Sequence, residues 1–115
     1  MKIDIRAMHF EIDQQTRDYA AEKIGRLEKY YKNVILAEIT LICDHEDHAG
    51  STYTCKTKLQ IPGKDLFAES GSRNINEAID LVEERLKHQI TKLKERSNPR
   101  KLHQVKQRVR DFFGR

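Results

Sequence analysis

The sequence of 115 residues contains no tryptophan, only two cysteines and two prolines, and no long apolar run. A membrane-spanning helix needs about 20 consecutive apolar residues, so we expect no transmembrane segment. Residues 1–10, MKIDIRAMHF, lack the apolar stretch and the small-residue cleavage site of a secretory signal. The chain is therefore expected to remain in the cytoplasm.

The two cysteines, Cys43 and Cys55, are too few for a disulfide framework, and without an export signal they are expected to be small, buried, reduced thiols. The segment CDHEDH (43–48) gathers residue types that bind metals, but its spacing matches no zinc pattern. Cys43 is expected inside a sheet, whereas His45 and His48 lie in a loop. We therefore expect a charged hairpin tip and no metal site.

The sequence also lacks the constellations that carry catalysis. It has no Gly-rich phosphate loop. Glu46 and Asp47 are expected in an exposed loop, without the burial that separates the pKa values of an acid and a base. His9 and His103 have no partner that suggests catalysis. We expect no catalytic residue, no cofactor and no small-molecule substrate, and thus a protein that is not an enzyme.

Positive charge is concentrated at one end of the chain. Residues 1–84 hold 11 Lys and Arg against 16 Asp and Glu, a net charge of −5, whereas residues 85–115 hold 11 against 2, a net charge of +9. Such asymmetry indicates a polyanionic partner rather than a fold. The candidates are nucleic acid, an anionic membrane surface and an acidic protein.

Hydrophobic periodicity predicts four strands. Polar and apolar residues alternate, which is strand spacing, in residues 2–7, 34–44 and 51–61. A short fourth strand is expected at about 66–70. Residues 45–50, HEDHAG, are predicted to form a hairpin loop and residues 62–65, PGKD, a turn.

Two segments have helical spacing. Asp13 is expected to cap a helix that begins at Gln14 and ends near residues 32–33. Asn74, with Glu77 three residues later as in a capping box, is expected to begin a second helix that ends before Pro99. The order β-α-β-β-β-α predicts an α+β fold, in which a four-stranded sheet has two helices packed on one face and solvent on the other.

The second helix carries most of the candidate binding residues. On a helical wheel, one flank of its apolar face holds Arg85, His88, Gln89, Lys92 and Arg96, and the other flank holds Lys87 and Lys94. The first helix adds Lys23 and Arg26 beside Tyr30. Lys and Arg on helices usually form a solvated face of mixed sign, but carboxylates almost vanish after Glu84. We expect the two helices to present one basic surface that binds RNA phosphates.

Two motifs in this order resemble the ribosome hibernation factors, the family of short hibernation-promoting factors and protein Y, also called the sigma-54 modulation family. The first helix has the pattern Lys-x-x-Arg-Leu-x-x-Tyr through residues 23–30. The second helix has Ala-Ile-Asp at 78–80, followed by Arg-Leu-x-x-Gln-Ile-x-Lys-x-Lys at 85–94. The resemblance covers about residues 1–96 and is closest to the short type, because the chain has no room for the dimerisation domain of long members.

The resemblance implies the predicted fold, similar to double-stranded RNA-binding domains, and a partner in the small ribosomal subunit. Members lie over the decoding region and exclude messenger and transfer RNA. Their helices contact ribosomal RNA through basic side chains, a role that falls here on Lys23, Arg26, Arg85, Lys92 and Lys94. His88 stands where members often have a basic residue, and Asn76 where they often have a tyrosine before the Ala-Ile-Asp run.

The chain divides at Pro99 into a ribosome-binding domain, 1–98, and a basic tail, 99–115. Apolar residues at helical spacing in the tail suggest a short amphipathic helix that docks on a protein, lies on a membrane surface or makes an additional RNA contact through 100–115. The alternative is a terminus that orders only on binding. Two other functions remain open from the residues alone: a general double-stranded RNA-binding protein without ribosome preference, and a regulator that binds an acidic protein.

Overall fold

The computed structural model describes residues 1–47 and 50–96. Their order is β1 (Lys2–Met8), α1 (Gln14–Gly25), a 3₁₀ helix (Arg26–Lys29), β2 (Leu36–Asp47), β3 (Gly50–Ile61), β4 (Lys64–Ser72) and α2 (Ile75–Arg96). The predicted α+β fold with the order β-α-β-β-β-α is confirmed. The proposed boundary at residues 98/99 and the tail lie outside the described residues.

The four strands form one sheet in the order β1-β2-β3-β4. β1 pairs with β2 in parallel, and β2–β3 and β3–β4 are antiparallel. Strand alternation sends Ile39 and Leu41 of β2, and Cys55 and Leu59 of β3, into the core, where all four are fully buried. Both helices pack on this face and complete a single core.

The first helix is shorter than predicted. Asp13 caps it as expected, because its carboxylate accepts a hydrogen bond from the Thr16 amide at 2.8 Å. α-Helical geometry ends at Gly25, however, and a 3₁₀ turn follows, which keeps Leu27 fully buried. The parallel pairing of β1 with β2 explains the early end: the chain must return along the seven residues of β1, about 23 Å, and α1 with its 3₁₀ turn already spans about 26 Å.

The loops between strands are also shorter than predicted. β2 continues to Asp47 and β3 begins at Gly50, so most of the expected hairpin loop is paired backbone, with a register shift between Cys43 and His45. The residues there are poor strand formers, but strand propensity is weak and depends on context, and the antiparallel ladder of β2 and β3 continues through them.

The turn before β4 likewise narrows to Pro62–Gly63, where Gly63 has a φ of 86°, and β4 spans 64–72 rather than 66–70. A two-residue connection is sufficient because glycine supplies the positive φ that the turn requires.

Only one half of the predicted capping box forms at the start of α2. The Asn74 side chain accepts hydrogen bonds from the amides of Asn76 at 2.8 Å and Glu77 at 3.4 Å. The Asn74 amide donates to the Ser72 hydroxyl at 3.2 Å instead of to Glu77. The predicted capping box is therefore only half formed, since the Asn74 amide has the Ser72 hydroxyl as its acceptor.

Candidate nucleic-acid interface

The buried stripe of α2 determines where its charged side chains point. Five residues on one side of the helix are fully buried against the sheet and α1: Ala78, Ile79, Val82, Leu86 and Ile90. The remaining positions form two flanks and an outer surface. One flank faces β4 and the other faces α1, and each carries part of the predicted set of cations.

On the β4 flank, two of the predicted residues hydrogen-bond to the sheet. Arg85 Nη1 donates to the Glu69 carbonyl at 3.0 Å, and Gln89 Nε2 donates to the Phe67 carbonyl at 2.7 Å. With His88 they line a groove of about 810 Å³ between α2 and β4. Arg85 uses one N–H of its guanidinium here, so the others remain available to a phosphate.

A smaller cavity of about 140 Å³ lies near the start of β4. Lys64, Gln89 and Lys92 line it together with Leu66 and Leu93. The periodicity of α2 gave no indication of Lys64, because Lys64 is distant from α2 along the chain. The antiparallel pairing of β3 and β4 places it, as the first residue of β4, beside the C-terminal half of α2.

On the α1 flank, Lys23 of the first helix forms an ion pair with Asp80 of α2. Lys23 Nζ lies 3.4 Å from Asp80 Oδ1 and 5.7 Å from the centre of the Tyr19 ring. The Tyr19 hydroxyl donates to the same Asp80 oxygen at 2.6 Å. This hydrogen bond, together with burial and the charges of Asp80 and Glu83, raises the pKa of Tyr19 to about 12. Tyr19, Lys23 and Asp80 therefore connect α1 to α2.

The second candidate of the first helix is also paired. Arg26 Nη2 lies 3.0 Å from Glu22 Oε1, one helical turn earlier. Across from it, Lys87 Nζ lies 4.9 Å from the centre of the Tyr30 ring, at the distance of a cation–π contact. Tyr30 is 36% exposed, so an aromatic ring and an ammonium group stand at the surface between the helices.

The predicted residues thus fall into two groups. Within 1–47 and 50–96, Lys23 and Arg26 form ion pairs, whereas Arg85, Lys87, His88 and Lys92 form none. Lys94 lies on the α1 flank of α2, and Arg96 is the last residue of that helix. Among the predicted binding residues, therefore, both cations of the first helix have a carboxylate partner, whereas Arg85 and Lys92 of α2 have none within the described residues.

The opposite face of the sheet has a different character. Its side chains include basic and acidic residues in similar number: Lys2, Arg6, Lys56, Lys58, Asp4, Glu38, Asp44, Asp65 and Glu69. Several of them pair with one another, as Lys58 does with Asp65 at 3.6 Å. This face is close to neutral, so an electrostatic partner of the described residues is expected on the helical side.

The described residues give little support to a metal site, a nucleophilic cysteine or a membrane-spanning helix. They contain no cluster of three or more His, Cys, Asp or Glu side chains positioned to hold a metal ion, although the CDHEDH segment lies partly outside them. Cys55 is fully buried, and burial raises the pKa of its thiol to about 11, so it is a poor nucleophile. No helix in the described ranges is both long and apolar enough to cross a membrane.

Comparison with protein families gives a match over most of the chain. Residues 3–98 match the family described as sigma 54 modulation protein / S30EA ribosomal protein. The ribosome hibernation promotion factor of Lactococcus lactis subsp. cremoris is 34% identical over 102 residues, which cover 85% of this chain and 52% of that protein. The ribosome hibernation promoting factor of Pseudomonas putida is 27% identical over 96 residues, covering 84% and 89%. The chain therefore spans about half of the first protein and most of the second.

Two solved structures share the fold. The N-terminal domain of Thermus thermophilus Protein Y superposes with a TM-score of 0.71 at 23% identity, covering 81% of this chain and 99% of that domain. A ribosomal subunit interface protein from Coxiella burnetii gives 0.73 at 18% identity, covering 82% and 98%. At these identities the likeness concerns the arrangement of strands and helices.

Proposed function

Because the chain belongs to the sigma 54 modulation protein / S30EA ribosomal protein family, we propose that it is a cytoplasmic ribosome hibernation factor. In this proposal it binds the small ribosomal subunit over the decoding region, at the channel for messenger RNA. It silences translation by occupying the space of messenger and transfer RNA and catalyses no reaction. The names of the Lactococcus and Pseudomonas relatives support this assignment.

One observation of the structure supports the proposal most: several of the predicted binding residues on α2 have no carboxylate partner within the described residues. Arg85, Lys87, His88 and Lys92 form no ion pair within 1–47 and 50–96, and the open face of the sheet is close to neutral. Each Lys or Arg that neutralises a phosphate releases condensed counterions, which makes binding strong and dependent on salt. The helical side is therefore the side that we expect to face ribosomal RNA.

The two groups of predicted residues are expected to contribute unequally. Lys92 forms no ion pair within the described residues. Its contact with a phosphate therefore costs only the conformational entropy of its side chain. Lys23 must exchange Asp80 for a phosphate, and Arg26 must exchange Glu22. We therefore expect the α2 cations to supply most of the affinity and the α1 cations to contribute less per charge.

Sedimentation with ribosomes in sucrose gradients at graded salt tests the proposal. We expect about one copy per small subunit, and loss of binding when messenger and transfer RNA fill the decoding channel. Lys92→Ala should weaken binding and reduce the salt slope by about 1, as for the loss of one phosphate contact. Lys56→Ala is the matched control, because it removes the same charge from the open face of the sheet.

The other two functions give different results in the same experiment. A general double-stranded RNA-binding protein would bind any RNA duplex as tightly as it binds ribosomes. A regulator of an acidic protein would not sediment with ribosomes at all. Equal effects of Lys92→Ala and Lys56→Ala would show that α2 is not the interface.

A further inference from the structure

The outer edge of β4 is covered by two side chains of α2. The strand order leaves one side of β4 without a neighbouring strand. The two-residue turn at 62–63 directs alternate residues of β4 away from β3, so that Phe67 and Glu69 point their backbone groups outward. Their carbonyls are the ones that accept hydrogen bonds from Gln89 at 2.7 Å and Arg85 at 3.0 Å.

The spacing of these hydrogen bonds matches the two elements. Arg85 and Gln89 are four residues apart, which is about 6 Å along a helix. Phe67 and Glu69 are two residues apart, which is about 6.8 Å along a strand. Because α2 runs antiparallel to β4 here, the earlier helix residue contacts the later strand residue, and two consecutive outward carbonyls are covered.

The covered edge is otherwise suitable for pairing with a strand. β4 has nine residues, Lys64–Ser72, and contains no proline. Phe67 is 62% exposed beside it. Exposed edges of this length are sites of strand addition unless they are protected.

A second copy of the same strand fits this edge over its full length. In an antiparallel pair with a two-fold axis at Ala68, Lys64 stands opposite Ser72 and every residue of β4 has a partner. Asp65 then faces Gly71, and Phe67 faces Glu69, so no like charges are directly opposed. Ala68 also lets the two backbones approach closely at the axis, where the pair is not hydrogen-bonded.

We propose that the outer edge of β4 is a strand-pairing surface for a second copy of this chain, and that Arg85 and Gln89 hold it closed. A second strand must displace both donors from the carbonyls of Glu69 and Phe67 before it pairs. The two side chains thus keep the protein monomeric by occupying the hydrogen-bonding positions of the missing strand. This inference does not depend on ribosome binding.

The double variant Arg85→Ala/Gln89→Ala tests the proposal by analytical ultracentrifugation. We expect self-association to tighten by about tenfold or more, as for the loss of a competing hydrogen bond, and amide exchange in β4 to slow in the dimer. The matched control is Lys87→Ala/Thr91→Ala, which removes the same charge at the same spacing but leaves both donors to the β4 carbonyls in place. Wild type and control should remain monomeric at the same concentrations.

A second substitution shows whether the association runs through β4. The Phe67 amide faces outward, so Phe67→Pro loses no bond to β3 but blocks a pairing strand. Added to the double variant, it should restore the monomer. If the double variant fails to fold, Gln89→Glu takes its place, because it keeps the side-chain shape and removes the donor. A folded variant that stays monomeric, a dimer that survives Phe67→Pro, or a wild type that already pairs through β4 would each overturn the proposal.

Discussion

Replacing Tyr19 with phenylalanine should destabilise the contact between the two helices. The substitution removes only the hydroxyl that donates to Asp80 at 2.6 Å, and it leaves the ring in place beside Lys23. A hydrogen bond to a charged acceptor contributes about 1.5 kcal/mol to the free energy of unfolding when it is only partly buried. For a domain of this size that loss lowers Tm by about 6–12 °C.

The same hydrogen bond makes a prediction about pH. The pKa of Tyr19 is about 12 in the folded protein, above its ordinary value of 10. The protonated hydroxyl is the form that the folded state stabilises, so its contribution is fully present below pH 10 and is lost as the pH rises toward 12. The difference in unfolding free energy between wild type and Tyr19→Phe should therefore be constant from pH 7 to 9 and narrow above pH 10.

Urea denaturation of wild type, Tyr19→Phe, Asp80→Asn and the double variant measures the coupling directly. We expect about 1 kcal/mol of interaction energy between the two positions. Tyr31→Phe is the control, since the Tyr31 hydroxyl has no hydrogen bond to any side chain or backbone group within the described ranges. A coupling near zero, or a difference that does not narrow at high pH, would refute this reasoning.

Three further predictions concern the core and the turns. Leu86→Ala removes a fully buried side chain from α2 and should reduce the unfolding free energy by about 2–5 kcal/mol in chemical denaturation; a loss under about 1 kcal/mol would contradict the described packing. Gly63→Ala places a side chain at a φ of 86° and should lower the unfolding free energy by about 1 kcal/mol. Gly63→Asn should lower it less, and equal stabilities of wild type and both variants in chemical denaturation would exclude strain at this turn. Cys55, with a thiol pKa of about 11, should resist alkylation at pH 8 until the protein unfolds, and rapid labelling of the folded protein would show that the site opens.

The sequence predicted the order of the elements because periodicity is a local property. Alternation identified the inward positions of β2 and β3, and helical spacing identified the buried stripe of α2. The errors fell at the ends of elements. The first helix was predicted too long, and the hairpin at 45–50 and the turn at 62–65 were predicted too wide, because each boundary depends on a pairing partner that is distant in sequence.

The sequence predicted which residues of α2 belong to the candidate site, but not which residues of the sheet they contact. The helical wheel placed Arg85, Gln89 and Lys92 on one flank correctly. It did not indicate that two of them hydrogen-bond to the edge of β4, or that Lys64 lies beside the third. A wheel describes one helix alone and contains no information about the strand that packs next to it.

What the sequence determined by itself was the excess of positive charge after Glu84 and the amphipathic pattern that exposes it. Only the tertiary structure decided which of the predicted cations, on either helix, pair with a carboxylate of the chain itself. Tyr19 and Asp80 meet across 61 residues of chain, and this contact brings Asp80 to Lys23 and neutralises it. The physical reason is that charge compensation depends on distances of a few ångströms between side chains, and those distances are set by how helices and strands pack rather than by the spacing of residues along the chain.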